Sequence, residues 1–125
     1  MKTVQLPERY QHVMPYLIIN DSKDFLPFVK EVFDAKETNI TLREDGSIMH
    51  GEVMIGDSTI MFAQTGDQWG INTAGMYVNV PDADETYKKA IAAGATSLME
   101  VTDQSYGRSG GFKDKFGNTW WVVTP

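Results

Sequence analysis

The sequence of 125 residues contains no cysteine, which excludes disulfide bonds and thiolate metal sites and fits a reducing compartment. No stretch approaches the roughly 18 consecutive apolar residues of a membrane span. Residues 1–9 also contain no apolar run of the kind found in signal peptides. The sequence therefore predicts a soluble cytoplasmic protein with no role at a membrane.

Basic residues are also few, because 11 Lys and Arg face 17 Asp and Glu and leave a net charge of −6 at pH 7. This charge repels nucleic-acid phosphates and anionic lipid, so neither is expected as a partner. It favours cationic ligands, although the same charge also serves simply to keep a domain in solution. With 42% hydrophobic and 22% charged residues, the composition is that of an ordinary globular domain.

The first half of the chain predicts one strand, one helix and three further strands. A short apolar run rich in branched residues predicts a buried strand over residues 13–20. Residues 25–33 then carry apolar side chains on a 3.6-residue period, which predicts a helix with Asp24 as N-cap and Pro27 in the first turn. Strands at 38–43, 48–55 and 58–64 follow, separated by Asp-Gly and Gly-Asp turns.

The second half repeats this order. A strand at 76–80 precedes a helix that Asp82 can cap, and strands fit residues 97–102, 108–113 and 119–124. Asp21 and Asp82 lie 61 residues apart, as do Gly56 and Gly117. Such a fixed period predicts two βαβββ modules, at about 13–64 and 75–125, joined by a linker at 65–74. Because roughly 60 residues are marginal alone, both modules are expected in one domain spanning 1–125.

Several runs of residues carry a resemblance to a known family. They are Pro15-Tyr16-Leu17, residues 50–58 (H-G-E-V-M-I-G-D-S), residues 80–84 (V-P-D-A-D), Ala93-Gly94-Ala95 and residues 112–120 (F-K-D-K-F-G-N-T-W). With paired βαβββ modules, the chain resembles the vicinal-oxygen-chelate superfamily, which includes glyoxalase I, bleomycin-resistance proteins and extradiol dioxygenases. It is most similar to the PhnB-type, glyoxalase-like branch.

The resemblance implies an α+β fold in which open, U-shaped mixed sheets surround a cavity, the glyoxalase/bleomycin-resistance fold. It also implies a homodimer whose cavity draws on both chains, with the modules paired either side by side or by domain swapping. In the superfamily's enzymes, four side chains from the first and last strands of the two modules hold a divalent metal.

Matching those four positions to this sequence gives Met14, Ile60 or Met61, Gly75 and Trp121. None offers an oxygen or nitrogen donor suited to such a metal. The sequence therefore predicts a protein without the superfamily's metal site, without a cofactor and without an assigned catalytic residue.

His50 and Glu52 lie two residues apart on one predicted strand, so their side chains share a face. Such a pair can chelate a metal, but it leaves the coordination incomplete. The favoured interpretation is that His50 is hydrogen-bonded in or beside the pocket.

The remaining candidate ligand-binding residues are mostly aromatic. The ligand spacing that the resemblance implies places Tyr16 and Trp121 on the concave face, and the symmetry of the halves adds Tyr77. There Trp121 either stacks on a planar or cationic ligand or fills the cavity. Trp69, a tryptophan in a polar linker, indicates an interface or a lid. Arg108 is added by the resemblance. Together with His50 and Glu52, these residues form the predicted site.

Three functions follow. The first is a metal-free protein that binds and sequesters an aromatic or cationic small molecule. The second is a lyase, isomerase or dioxygenase-type enzyme that acts on a small carbonyl compound with non-standard metal ligands or with none. The third is a structural or regulatory dimer with a filled cavity.

Overall fold

The computed structural model describes residues 2–125, which form eight strands and two helices. In chain order these are β1 (Tyr16–Ile19), α1 (Ser22–Phe33), β2 (Lys36–Leu42), β3 (Ile48–Ile55), β4 (Ser58–Gln64), β5 (Gly75–Asn79), α2 (Ala83–Ala92), β6 (Thr96–Gln104), β7 (Gly107–Lys113) and β8 (Thr119–Thr124). Neither helix is long and apolar enough to cross a membrane in this described part of the chain.

The strands form two mixed sheets of four, ordered β1-β4-β3-β2 and β5-β8-β7-β6. In each sheet the first strand of the module lies parallel to the last, and the other neighbours are antiparallel. Tyr16 faces Met61 across the first parallel pair, and Tyr77 faces Trp121 across the second. The predicted α+β fold of two tandem βαβββ modules is confirmed.

One face of each sheet packs on the helices and builds a core that both modules share. Leu17 and Ile19 of β1 and Trp120 and Val122 of β8 are buried on this side. An edge-to-face contact joins Phe25 of α1 to the loop before β8, with 5.4 Å between its ring and that of Phe116. The opposite, concave face of each sheet carries the alternate residues, as the two-residue period predicts.

The start of α1 differs from the prediction, because the helix begins at Ser22 rather than after Asp24. Asp21, in the left-handed region at φ 52°, is the N-cap and makes no side-chain cap hydrogen bond. Instead, the backbone N–H of Ser22 donates to Oε1 of Gln64 at 2.9 Å. Gln64 of β4 thus pairs with a backbone N–H at the start of the helix that a local capping side chain usually satisfies. Pro27 was predicted in the first turn but lies beyond it.

The run at 112–120 folds around the buried carboxylate of Asp114. One oxygen, Oδ1, accepts the backbone N–H groups of Phe116 at 2.9 Å and Asn118 at 2.8 Å. The other, Oδ2, accepts the Asn118 amide at 3.0 Å and the Trp120 indole N–H at 2.8 Å. This motif therefore fixes the turn before β8 and the position of Trp120 in the core.

Candidate functional site

A cavity of about 750 Å³ opens on the concave face of the first sheet. Its wall combines side chains of β1, β3 and β4 with the linker that connects the modules. The lining residues are Tyr16, Ile18, Arg43, Met49, Ala63, Gln64, Gly66, Asp67, Gln68, Trp69 and Asn72. This volume lies within the range of small-molecule sites, which combine an apolar wall with a few polar groups.

Two of the predicted residues meet in this cavity. Leu17 and Ile19 of β1 point to the core, and side chains alternate between the two faces of a strand. Tyr16 therefore lies on the concave face. Trp69 is 61% exposed, and its backbone oxygen accepts the Thr65 hydroxyl at 2.9 Å, which holds the linker loop closed on itself. Aromatic rings on a strand and on the linker therefore border one cavity.

Behind Tyr16, a chain of hydrogen bonds runs from the cavity wall into the protein. The Tyr16 hydroxyl lies 3.1 Å from Nδ1 of His50, and Nε2 of His50 lies 2.7 Å from Oε2 of Glu52. The same carboxylate oxygen accepts the Tyr10 hydroxyl at 2.7 Å. As the alternation predicts, His50 and Glu52 share one face of β3, and His50 is hydrogen-bonded beside the cavity. We call Tyr16, His50, Glu52 and Tyr10 the tyrosine–histidine chain.

Glu52 is 5% exposed and is the buried acid of this chain. Burial alone raises the pKa of its carboxyl, but the hydrogen bonds from His50 and Tyr10 outweigh burial and hold that pKa below its usual value. The reciprocal effect appears at Tyr10, where the hydrogen bond to Glu52 raises the pKa of the phenol. Glu52 is therefore an ionised acceptor at neutral pH.

The segment before β1 is fastened to β4, which brings Tyr10 to Glu52. The Gln11 side chain donates to the Thr59 carbonyl at 2.9 Å and accepts the Thr59 N–H at 3.2 Å. The Thr59 hydroxyl in turn donates to the Arg9 carbonyl. These bonds hold an irregular segment against the start of β4, and no strand pattern in the sequence predicts them.

The second sheet carries the other two predicted aromatic residues on its concave face. Tyr77 is 58% exposed and Trp121 is 38% exposed. Trp121 lies against Gly111 of β7, so closely that a Cβ at position 111 would overlap its ring. Tyr77 borders a second cavity of about 380 Å³ together with Met76 and Trp120. The structure therefore does not bury Trp121 as a core residue in this chain.

Arg108 is not brought to either of these two cavities. Its guanidinium forms a bidentate salt bridge with the carboxylate of Asp84 in α2, with N–O distances of 2.6 and 3.1 Å, and donates to the carboxylate of Asp103 at 3.0 Å. The hydrogen bond from Arg108 lowers the pKa of Asp84, and the two aspartates raise the pKa of Arg108. This arrangement ties α2 to the outer hairpin of the second module.

Comparison with known proteins decides the family. A sequence model of the Glyoxalase/Bleomycin resistance protein/Dioxygenase superfamily matches residues 9–122. The chain belongs to this superfamily. An uncharacterized protein of Mycobacterium bovis is 28% identical over 123 residues, which cover 89% of this chain and 81% of that protein.

Solved structures of the superfamily's fold superpose over nearly the whole chain. TioX from Micromonospora sp. ML1 matches with a TM-score of 0.76 and 23% identity, covering 92% of this chain and 98% of that one. The PhnB protein from Bacillus cereus matches with a TM-score of 0.75 and 17% identity, covering 92% and 100%. At these identities, the similarity concerns the fold alone.

The four positions that the resemblance assigns to the metal ligands offer no suitable donor in this chain. They hold Met14, which lies before β1 rather than on it, Met61 or Ile60, Gly75 and Trp121. Within residues 2–125, no three His, Asp or Glu side chains come together in a way that could hold a metal ion. His50 and Glu52 supply two donors, and these bond to each other.

Several cavity residues escaped the sequence prediction. Arg43 and Asn72 line the cavity beside Tyr16, and Tyr10 closes the tyrosine–histidine chain. Arg43 directly follows β2 and donates to the Gln64 carbonyl at 2.9 Å. An isolated antiparallel β-bridge pairs Asn72 of the linker with Ile18 of β1. These contacts depend on how the linker and the N-terminal segment fold back, and no local periodicity signals that path.

Proposed function

We propose that this protein binds a planar aromatic or cationic small molecule in the cavity of its first module. The observation that carries the proposal is the cavity of about 750 Å³, bordered by Tyr16 of β1 and Trp69 of the linker. Aromatic faces attract planar ligands by stacking and cations through their negative π faces. The charges of Asp67 and Arg43 in the cavity wall offset each other, and the net charge of −6 of the chain favours a cation.

The proposal includes a homodimer. Val13, Tyr77 and Leu98 are exposed by 84%, 58% and 51%, which leaves apolar area of the kind that subunit contacts cover. A second copy of the chain would cover this area and bring its own module toward the concave face. Light scattering coupled to size-exclusion chromatography tests this part, since a mass of 14.0 kDa for the particle would contradict it.

Binding is tested by isothermal titration with 9-aminoacridine, a planar cation, and naphthalene-2-sulfonate, a planar anion of similar size. The cation is expected to bind the more tightly. Trp69→Ala should weaken its binding roughly 2- to 10-fold, since an aromatic contact contributes ~0.5–1.5 kcal/mol. Tyr106→Ala is the matched control, because Tyr106 is 53% exposed and borders neither cavity described above. Equal losses in both variants, or no binding, would contradict the proposal.

A second candidate function is favoured by the tyrosine–histidine chain. An acid, an imidazole and a hydroxyl at the cavity wall stand in the order that general acid–base catalysis uses. An isomerase or lyase acting on a small carbonyl compound would use this order. Loss of the α-proton NMR signal of hydroxyacetone in D₂O, faster with the protein than with the Tyr16→Phe variant, would favour the enzyme over the binding protein.

A further inference from the structure

The positions of the protons in the tyrosine–histidine chain follow from its acceptors. Because the Glu52 carboxylate has no proton to give, His50 must donate its Nε2–H across the 2.7 Å contact. A neutral imidazole with its proton on Nε2 presents a lone pair at Nδ1. With His50 in this neutral form, the Tyr16 hydroxyl, 3.1 Å from Nδ1, is the donor in that bond.

This arrangement leaves the hydroxyl oxygen of Tyr16, a residue that lines the cavity, with lone pairs and no proton to offer. Among its neighbours, the Gln64 side chain accepts from the Ser22 N–H and donates to the Asn20 side chain at 3.0 Å. Arg43 donates one of its five N–H groups to the Gln64 carbonyl at 2.9 Å. Tyr16 is thus a directed acceptor in the wall of the cavity.

We infer that Glu52, acting through His50, sets Tyr16 as a hydrogen-bond acceptor, so that the cavity selects planar ligands carrying an N–H or O–H donor. This inference rests on the proposed function and names the class of ligand: aromatic amines, protonated ring nitrogens, indoles and phenols. Planar compounds with only an acceptor atom are disfavoured, because they would place a lone pair against the lone pairs of Tyr16. His50 and Glu52 are positioning residues that need not touch the ligand.

Two neutral probes of similar size test this directly. At pH 7.5, indole has a single N–H donor, whereas quinoline has a single nitrogen acceptor. The dissociation constants are measured by isothermal titration on the full chain. The wild-type protein is expected to prefer indole about 3- to 10-fold, the value of one net hydrogen bond. Tyr16→Phe should bring that ratio close to one, while Tyr77→Phe, on the other module, should leave it unchanged.

Glu52→Gln removes the charge that holds the proton on Nε2 of His50, so the preference for indole should fall toward one or reverse. Long-range proton–nitrogen NMR spectra give a readout that needs no ligand. The chain has two histidines, and a His12→Gln background leaves His50 alone. Protonated Nε2 in the wild type and a mixture of tautomers in Glu52→Gln are expected.

The outcomes separate the inference from the proposed function. Equal binding of indole and quinoline, or a ratio that Tyr16→Phe does not change, would overturn the inference while leaving the binding function standing. A wild-type His50 protonated on Nδ1 would overturn it without reference to any ligand. If neither probe binds, the inference fails, and the titration with 9-aminoacridine decides the binding function separately.

Discussion

Among the buried groups, the carboxylate of Asp114 is the one for which the structure gives the clearest estimate of how much its loss would destabilise the protein. In Asp114→Asn, the remaining oxygen can keep the two backbone bonds to Phe116 and Asn118. The new amide nitrogen then faces two other donors, the Asn118 amide and the Trp120 indole N–H. Turning the amide over only exchanges this conflict for the loss of both backbone bonds.

Each buried donor left without an acceptor costs about 1–3 kcal/mol, so two cost about 2–6 kcal/mol. The free energy of unfolding of a small domain is only about 5–15 kcal/mol, so the variant should be visibly destabilised. The assay is equilibrium unfolding in urea followed by circular dichroism. With a slope of about 2 kcal/mol per molar, the midpoint should fall by roughly 1–3 M.

Asp57→Asn is the matched control, because Asp57 is exposed in the Gly-Asp turn of the first module and its carboxylate accepts one long hydrogen bond, from the Ser58 hydroxyl at 3.4 Å. Its change should stay within about 0.5 kcal/mol. A double-mutant cycle with Trp120→Phe, which removes the indole donor, should show that the two changes are less than additive. Equal midpoints for Asp114→Asn and Asp57→Asn would refute the reasoning.

Two further changes probe the second module. Gly111→Ala should displace the Trp121 ring and lower the free energy of unfolding by about 1–3 kcal/mol; in a Trp69→Phe background, which keeps Trp120 and Trp121, it should also shift the tryptophan fluorescence, and unchanged emission would contradict the close contact. Arg108→Gln should destabilise the protein at pH 7 but not in acid. The Asp84 pKa is depressed in the folded state, so the contribution of the pair is present above pH ~4 and is lost as the pH falls through the folded pKa. Unfolding midpoints from pH 7 to 2.5 check this, and a constant difference would contradict it.

The repeat predicted the fold well because the residues that form the turns can be recognised in the sequence of each module. Gly56 and Gly117 both have positive φ, at 59° and 101°, and both stand where the sequence placed a turn before the last strand. Asp82 accepts the Glu85 N–H at 3.1 Å, as its capping motif predicts. Local chemistry decides these features, so the sequence alone reveals them.

Structural features that depend on contacts between residues distant in the sequence were predicted less well. The start of α1 depends on Gln64, which is 42 positions away from Ser22. Alternation placed His50 and Glu52 on one face of their strand, but only the folded chain shows Tyr16 and Tyr10 at the two ends of their hydrogen bonds. Arg108, added by resemblance, instead finds Asp84 and Asp103 on neighbouring elements.

The attachment of the N-terminal segment to β4 has a practical consequence for anyone who produces this protein. A chain trimmed before residue 12, or a tag fused tightly to that segment, would keep both sheets and yet remove the Tyr10 donor from Glu52. Such a sample could pass every test of correct folding while its ligand selectivity had shifted. Affinity tags therefore belong after Pro125, which is exposed at the other terminus.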